Sequence, residues 1–149
     1  MIEQLVTSFV ATAAFGVIFN VPRESLLRVG FVGMAGWFVY KWLVTNQYDS
    51  VMATFLAAFL IGSISFIFAK FYRKPVIIFS VSGIIPLVPG GLAYDAMRRF
   101  VENDYTLAIE LAAKVFMISG AIAMGLVFSE VMNQLIIKAK KKEKFVKRG

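Results

Sequence analysis

Stretches of about 20 apolar and almost uncharged residues follow one another along the chain, separated by short polar segments. Runs of this length are typical of helices that cross a bilayer, whereas the strands of membrane barrels alternate apolar and polar residues. The pattern therefore predicts an all-α, polytopic helical membrane protein with about five transmembrane segments. These segments are expected at residues 5–21, 26–45, 51–69, 75–94 and 106–137.

The second segment is the least hydrophobic of the five. Only 12 residues separate Arg28 from Lys41, about 18 Å of helix, so both side chains must extend towards the membrane surfaces. Gly30, Gly33 and Gly36 recur every three residues, which predicts one side that another helix approaches closely. Its aromatic residues are typical of a membrane-interface belt: Trp37, Tyr40 and Trp42.

The fourth segment carries no charge, yet two prolines and two glycines interrupt it at Pro86, Pro89, Gly90 and Gly91. Proline lacks a backbone donor, and its ring clashes with the carbonyl group four residues earlier. The sequence therefore predicts a broken span, with the break near or beyond the middle of the bilayer. Irregular backbone at that depth must be buried in protein or line a wet cavity.

The residues that follow the break predict an amphipathic half-helix at 92–102. Apolar residues share one face, and the opposite face carries Tyr94, Asp95, Arg98, Arg99 and Glu102. Lipid cannot surround such a segment on all sides. Two alternatives remain, since the half-helix either lines an aqueous cavity or lies in the membrane interface.

Composition narrows the function classes. The chain has 149 residues, of which 59% are hydrophobic, compared with about 45–50% in a soluble domain. It contains no histidine and no cysteine, which excludes classical metal clusters and Ser-His or Cys-His nucleophiles. The sequence thus predicts a protein that is not an enzyme and that carries no cofactor and no metal. It predicts a single transmembrane domain at 1–137 and a basic tail at 138–149.

Positive charge is distributed unevenly, and seven of the 16 lysines and arginines lie after Ile137. With five crossings, this tail falls on the same side as the basic residues of two connections, which predicts a cytoplasmic C-terminus and an extracytoplasmic N-terminus. Those residues are Arg23, Arg28, Lys70, Arg73 and Lys74. The tail is interpreted as a topology signal that attracts anionic lipid, not as a nucleic-acid site.

Two motifs resemble those of a known family. They are Phe19-Asn20-Val21-Pro22 and, around the break, Pro86-x-x-Pro89-Gly90-x-x-x-Tyr94-x-x-Met97. The chain is similar to the small membrane subunit of the threonine/serine exporter family, equivalent to the C-terminal half of the single-chain exporters. The resemblance implies export of small amino acids, or of related carboxylates such as dicarboxylates, across a bacterial inner membrane. It also implies a larger partner subunit; a homo-oligomer is the other assembly considered.

The break is the candidate substrate site. A helix that begins at Gly90 or Gly91 presents free N–H groups and a partial positive charge, which favour a substrate carboxylate. The alternative is a kinked helix that serves packing only. The full set of candidate substrate-binding residues is Pro86, Pro89, Gly90, Gly91, Tyr94 and Asp95.

Several charged residues have a structural and a functional interpretation. Asp95 either neutralises the helix start and pairs with Arg98 and Arg99, or contacts a substrate amino group or a coupling proton. Glu110 and Lys114 are expected to pair with each other. Glu130 is expected close to the opposite interface, as part of a helix end or of the cytoplasmic mouth. The candidate pathway residues are Asn20, which otherwise serves as a turn residue, Arg98, Arg99 and Glu130.

Two function classes remain open at this level. One is a subunit of a secondary exporter, with the substrate carboxylate at the broken helix. The other is a non-transporting membrane scaffold or assembly protein, in which the break only shapes an interface. Substrate efflux by the purified complex separates the two classes.

Overall fold

The computed structural model describes the backbone of residues 2–146 and the side chains of residues 2–139. In this part of the chain all regular structure is helical, which confirms the all-α prediction. The α-helices are α1 (Ile2–Ile18), α2 (Arg23–Thr45), α3 (Ser50–Tyr72), α4 (Val76–Gly83), α5 (Gly90–Val101) and α6 (Tyr105–Val146). A single 3-10 turn, Ile85–Leu87, lies between α4 and α5.

Short polar turns connect the first three helices. Asn20 adopts a left-handed conformation with φ 57° after α1, and Arg73 ends α3 in the same way with φ 53°. The carboxylate of Asp49 accepts a hydrogen bond of 2.9 Å from the amide of Val51 and so caps the start of α3. Because these turns are tight, neighbouring helices run antiparallel.

Glycines allow α2 to approach both of its neighbours. Gly30 lies under the ring of Phe9 and Gly33 lies against Thr12, both of α1, so closely that neither glycine has room for a Cβ. Gly36 instead faces Ile61 of α3. The predicted close approach is therefore present, but the three glycines do not share one side. A three-residue spacing falls short of a full helical turn, so the stripe drifts from one neighbour to the next.

The longest helix, α6, runs parallel to α3. Ala58 packs at Gly125, and four residues further along both helices Gly62 packs at Ser129. The contact is close: a Cβ on Gly62 would stand 2.5 Å from the Oγ of Ser129. Two parallel helices that are adjacent in space need a long connection, and here α4, the break and α5 provide it.

Two apolar clusters fill the bundle. The larger one joins α2, α3, the 3-10 turn and α6 through Val32, Ala57, Ile61, Leu87 and Ile118. The smaller one lies towards the end of the bundle where α3 finishes, around Phe79 of α4. The guanidinium carbon of Arg28 lies 3.5 Å from the ring centre of Tyr72 at that same end. The basic residues of the two connections therefore gather at one end of the bundle, as predicted.

Two helices, α3 and the 105–139 part of α6, are long and apolar enough to cross a membrane. A third span results if α4, the 3-10 turn and α5, which are bent by 49°, count as one. Helix α1 is apolar but has only 17 residues. The predicted broken segment is thus confirmed. Two or three of the roughly five predicted segments are long and apolar enough to cross a membrane.

Helix α6 is 42 residues long, about 63 Å at 1.5 Å per residue and about twice the thickness of a hydrocarbon core. It continues to Val146, so most of the predicted basic tail at 138–149 extends this helix. Residues 147–149 of that tail lie outside the described residues.

Candidate functional site

The fourth segment breaks where the prolines and glycines predict. Helix α4 ends at Gly83, the 3-10 turn follows, and Val88 is extended with φ −62° and ψ 126°. The amide of Gly90 donates a hydrogen bond of 2.8 Å to the carbonyl oxygen of Val88, and α5 begins there in a new direction. The chain thus changes axis within six residues, 84–89, without a regular helical hydrogen-bond ladder.

The beginning of α5 is open. No side chain caps it, and within the described residues the amides of Gly91 and Leu92 have no hydrogen-bond acceptor. A Cβ built on Gly90 or Gly91 would meet nothing within 4 Å. Free amides at a helix start carry partial positive charge, and the absence of side chains lets an anion reach them.

Packing places the break along the axis of the bundle. Gly83 packs against Ile61, near the middle of α3, and Leu87 lies in one cluster with Ala57, closer to the start of α3. The segment therefore leaves the helical ladder at mid-depth and reaches the open amides towards the Ser50 end of α3. This arrangement agrees with a break near or beyond the middle of the membrane.

One side of the break faces a small cavity of about 260 Å³ beneath Pro86. Trp37 of α2 lines it, and the indole Nε1 of Trp37 is buried without a hydrogen-bond partner in the described part of the chain. The polar wall comes from α1 through Gln4, Thr7 and Ser8. Sequence reasoning assigned Trp37 to an interface belt and did not connect it with the break. The spacing in the sequence could have indicated this position. Trp37 follows Gly33 by one helical turn, so both residues lie on the face of α2 that packs against α1.

The charged face of α5 is arranged differently from the prediction. Arg98 pairs with Glu102 at 2.9 Å, and Arg99 also turns to Glu102, at 3.4 Å. Asp95 forms no ion pair with a described residue, and it lies in the second turn of α5, where it does not cap the helix. Its predicted pairs with Arg98 and Arg99 are therefore wrong. The free energies of alternative exposed ion pairs differ by only tenths of a kcal/mol, so residue spacing alone does not determine which carboxylate an arginine pairs with.

The apolar face of α5 packs chiefly on the first part of α6. Between them lies an apolar groove of about 360 Å³, lined by Ala96, Met97 and Phe100 and by residues of α6. Ala96 is buried, whereas Tyr94 is 68% exposed and points away from the groove. The α5–α6 pair forms a helical hairpin that turns at Asn103, whose φ is 63°.

The structure brings together only part of the predicted residue set. The six candidate substrate-binding residues share the break and the first turns of α5. Asn20 lies at the opposite end of α1 from Gln4 and Ser8, which line the cavity beneath Pro86, and its left-handed conformation agrees with the turn interpretation. The predicted Glu110–Lys114 pair is not formed among the described side chains.

Glu130 does not lie at a helix end. Its neighbour Ser129 contacts Gly62 and Ser63, close to the middle of α3, so Glu130 lies well inside the depth that the apolar part of α3 covers. The predicted helix end at Glu130 is wrong, because α6 continues past it to Val146. No group of three or more potential metal-ligating residues occurs in the part of the chain that the structure describes.

Comparison with known families decides the class of protein. Residues 4–132 match the family described as Threonine/Serine exporter, ThrE. The chain belongs to the threonine/serine exporter family. The match contains both motifs, at 19–22 and 86–97, together with the whole break. No solved structure matches the chain. Family and fold together make it a multi-pass helical membrane protein of the exporter type.

Proposed function

We propose that this chain is the small subunit of a secondary exporter that moves small amino acids of the threonine or serine type out across the inner membrane. Related carboxylates, such as dicarboxylates, belong to the same proposal. One observation carries it: a chain of the exporter family holds an uncapped helix start with two unpaired amides inside a broken membrane segment.

In this proposal the substrate carboxylate binds the amides of Gly91 and Leu92. Both amides lack an acceptor, and the helix dipole of α5 adds partial positive charge at the same point. Gly90 and Gly91 leave space for the carboxylate because no side chain lies within 4 Å of either Cβ position. Pro86 and Pro89 maintain the break, since neither can donate to a continuous helical ladder.

Two side chains of α5 are suited to the remainder of an amino acid. Asp95 follows Gly91 by one helical turn, about 5.4 Å, and has no ion-pair partner in the described residues. We assign it the contact with the substrate amino group. Tyr94 follows Gly90 by one turn and offers an exposed hydroxyl. Arg98 and Arg99 remain available to attract anions, although Glu102 partly neutralises them.

The proposal includes a larger partner subunit of the same exporter. Apolar side chains are exposed along α5 and α6, for example Met97, Phe100 and Phe116, and a partner or lipid must cover them. The basic end of the bundle is proposed to face the cytoplasm, with the C-terminus on that side and the N-terminus outside.

Reconstitution tests the function. The chain is purified alone and together with the larger subunit, and each preparation is reconstituted into liposomes. The liposomes are loaded with labelled threonine, serine or a small dicarboxylate, and the release of the label is measured. The proposal expects efflux from the complex at least tenfold above empty liposomes. A complex that assembles but releases none of these solutes contradicts the exporter role and supports the scaffold alternative.

A further inference from the structure

A second polar site lies away from the break, in a cavity of about 310 Å³ between α3, α4 and α6. Glu130 is the one ionisable side chain among the residues that line it. Three other polar residues line the same cavity: Ser80 of α4 and Ser129 and Asn133 of α6. These four residues are separate from the proposed carboxylate site, because none of them belongs to the break or to α5.

The depth of Glu130 is unusual for a carboxylate. Ser129 is fully buried against Gly62 and Ser63 of α3, so the neighbouring Glu130, which is itself exposed, lies level with the central part of the apolar stretch 51–69. Lys70 marks the basic end of that stretch, seven residues or about 10 Å beyond Ser63. Ionisable groups at such a depth are rare in membrane helices, and they typically mark substrate or ion pathways.

Within the described residues the carboxylate of Glu130 lacks a cationic partner. The amide of Gln134 donates one hydrogen bond of 3.3 Å to its Oε1, and no described lysine or arginine lies within 4 Å. Asn133, which also lines the cavity, donates to the Oγ of Ser129 at 3.4 Å, so its amide oxygen remains available as an acceptor. A carboxylate, hydroxyl oxygens and an amide oxygen form a set of acceptors. Such a set fits a cation with several N–H donors.

A wider cavity of about 640 Å³ continues from this site towards the basic end of the bundle. The two cavities share Phe66 and Asn133, and the wider one is lined by Lys70 and Arg73. A solute that enters from that end meets positive charge first and a carboxylate about 10 Å further in. This order of charges attracts a solute that carries both an anionic and a cationic group.

We propose that Glu130 binds the ammonium group of a small amino acid at an inner subsite on the transport route, with Ser129 and Asn133 as further acceptors. The inference rests on the proposed exporter function and names its substrate class as zwitterionic. Leu87 of the break shares a cluster with Ala57, and Ser129 packs at Gly62, five residues or about 8 Å further along α3. The inner subsite is thus displaced from the break towards the basic end of the bundle, and the two sites are occupied in turn.

Two solutes that differ only in the amino group test the proposal. Threonine and 3-hydroxybutyrate share a carboxylate and a hydroxyl group, but only threonine carries an ammonium group. In liposomes that contain the complete complex, Glu130→Gln should lower threonine efflux at least tenfold and change 3-hydroxybutyrate efflux by less than twofold. Glu130→Asp should restore part of the threonine efflux. The matched control is Glu110→Gln, a carboxylate on the same helix that is exposed like Glu130 but lines neither cavity, and it should leave both rates unchanged.

A labelling experiment tests the site independently of transport. A carbodiimide that modifies carboxyl groups in apolar surroundings is applied to the detergent-solubilised complex, and peptide mapping measures the modification of Glu130. Threonine and ethanolamine should protect Glu130 from modification, whereas 3-hydroxybutyrate should not.

Three results overturn the inner subsite: equal effects of Glu130→Gln on both solutes, no protection by either amine, or loss of the partner subunit from purified Glu130→Gln. The last result would make Glu130 a subunit contact. A wild-type complex that exports neither solute refutes the exporter function itself, so the two failures are distinguishable.

Discussion

A Cβ at Gly125 would stand 2.6 Å from the carbonyl oxygen of Phe55, whereas one at Gly90 or Gly91 would meet nothing within 4 Å. The same residue type therefore does two different jobs in this chain. At Gly125 it permits backbone-to-backbone packing of two parallel helices. At the break it leaves backbone amides accessible. Small residues in a membrane helix do not reveal their role by identity, and only the surroundings separate packing from exposure.

The largest loss of stability is expected when a side chain is introduced at one of the glycines that permit close helix packing. Gly125→Val must displace the backbone of α3 at Phe55 and Phe59, because no flexible side chain is there to move aside. Overpacking of this kind typically costs about 1–3 kcal/mol, and rigid backbone neighbours place this site at the upper limit. We expect a clear fall in the thermal unfolding midpoint in detergent, together with low yield.

The same helix provides the control. Gly120 has open space around its Cβ position, so Gly120→Val should unfold close to the wild-type temperature. If Gly120→Val and Gly125→Val lower the midpoint equally, the α3–α6 contact does not have the closeness described above.

An intermediate effect is expected at Gly91, where stability and function should move in opposite directions. Gly91 lies inside α5 with a negative φ, and a methyl group there has free space. Gly91→Ala should therefore stabilise the helix by about 0.5–1 kcal/mol through backbone entropy. In liposomes, threonine efflux should fall at least threefold, because the methyl group obstructs the free amides.

Gly120→Ala serves as the control for that substitution, since it adds the same methyl group in a helix away from the break. Its efflux should remain within twofold of wild type. Unchanged efflux in Gly91→Ala would indicate that close approach to this backbone does not matter for transport.

The smallest effect is expected for the ion pairs of α5. Arg98 and Glu102 are 57% and 42% exposed, so their pair contributes about 0.3–0.5 kcal/mol. Arg98→Ala should shift the unfolding midpoint by no more than a few degrees, and added salt should reduce the difference. Asp95→Asn, at an unpaired position, should not shift it. A loss for Arg98→Ala comparable to that of Gly125→Val would contradict the weak-pair interpretation.

Sequence reasoning succeeded where short-range chemistry decides the structure. Pro86 and Pro89 cannot take part in a continuous helical ladder, so the break follows from these residues with little influence from the rest of the chain. The turn at Asn20 is equally local, because a short polar side chain tolerates the left-handed conformation. The helix boundaries at Thr45 and Ser50 also follow from local polarity.

Prediction from sequence failed where the position of a residue depends on the register between helices that are distant in the chain. The uncharged part of α6 ends at Glu130, which suggested an interface there, but the fit of Ser129 on Gly62 places this residue level with the centre of α3. The local pattern of α6 carries no information on how far it slides along α3. Trp37 was missed for a related reason, since its proximity to Pro86 depends on how α1, α2 and the break pack together.

The central claim is that the open amides at the start of α5 bind the substrate carboxylate, and Gly90→Leu tests it most directly. The measurement is threonine efflux from liposomes containing the complete complex, with Gly120→Leu as the matched control at another glycine with open surroundings. The account predicts at least a tenfold loss for Gly90→Leu in a complex that assembles normally, and less than a twofold change for Gly120→Leu. Equal efflux from the two variants would contradict it.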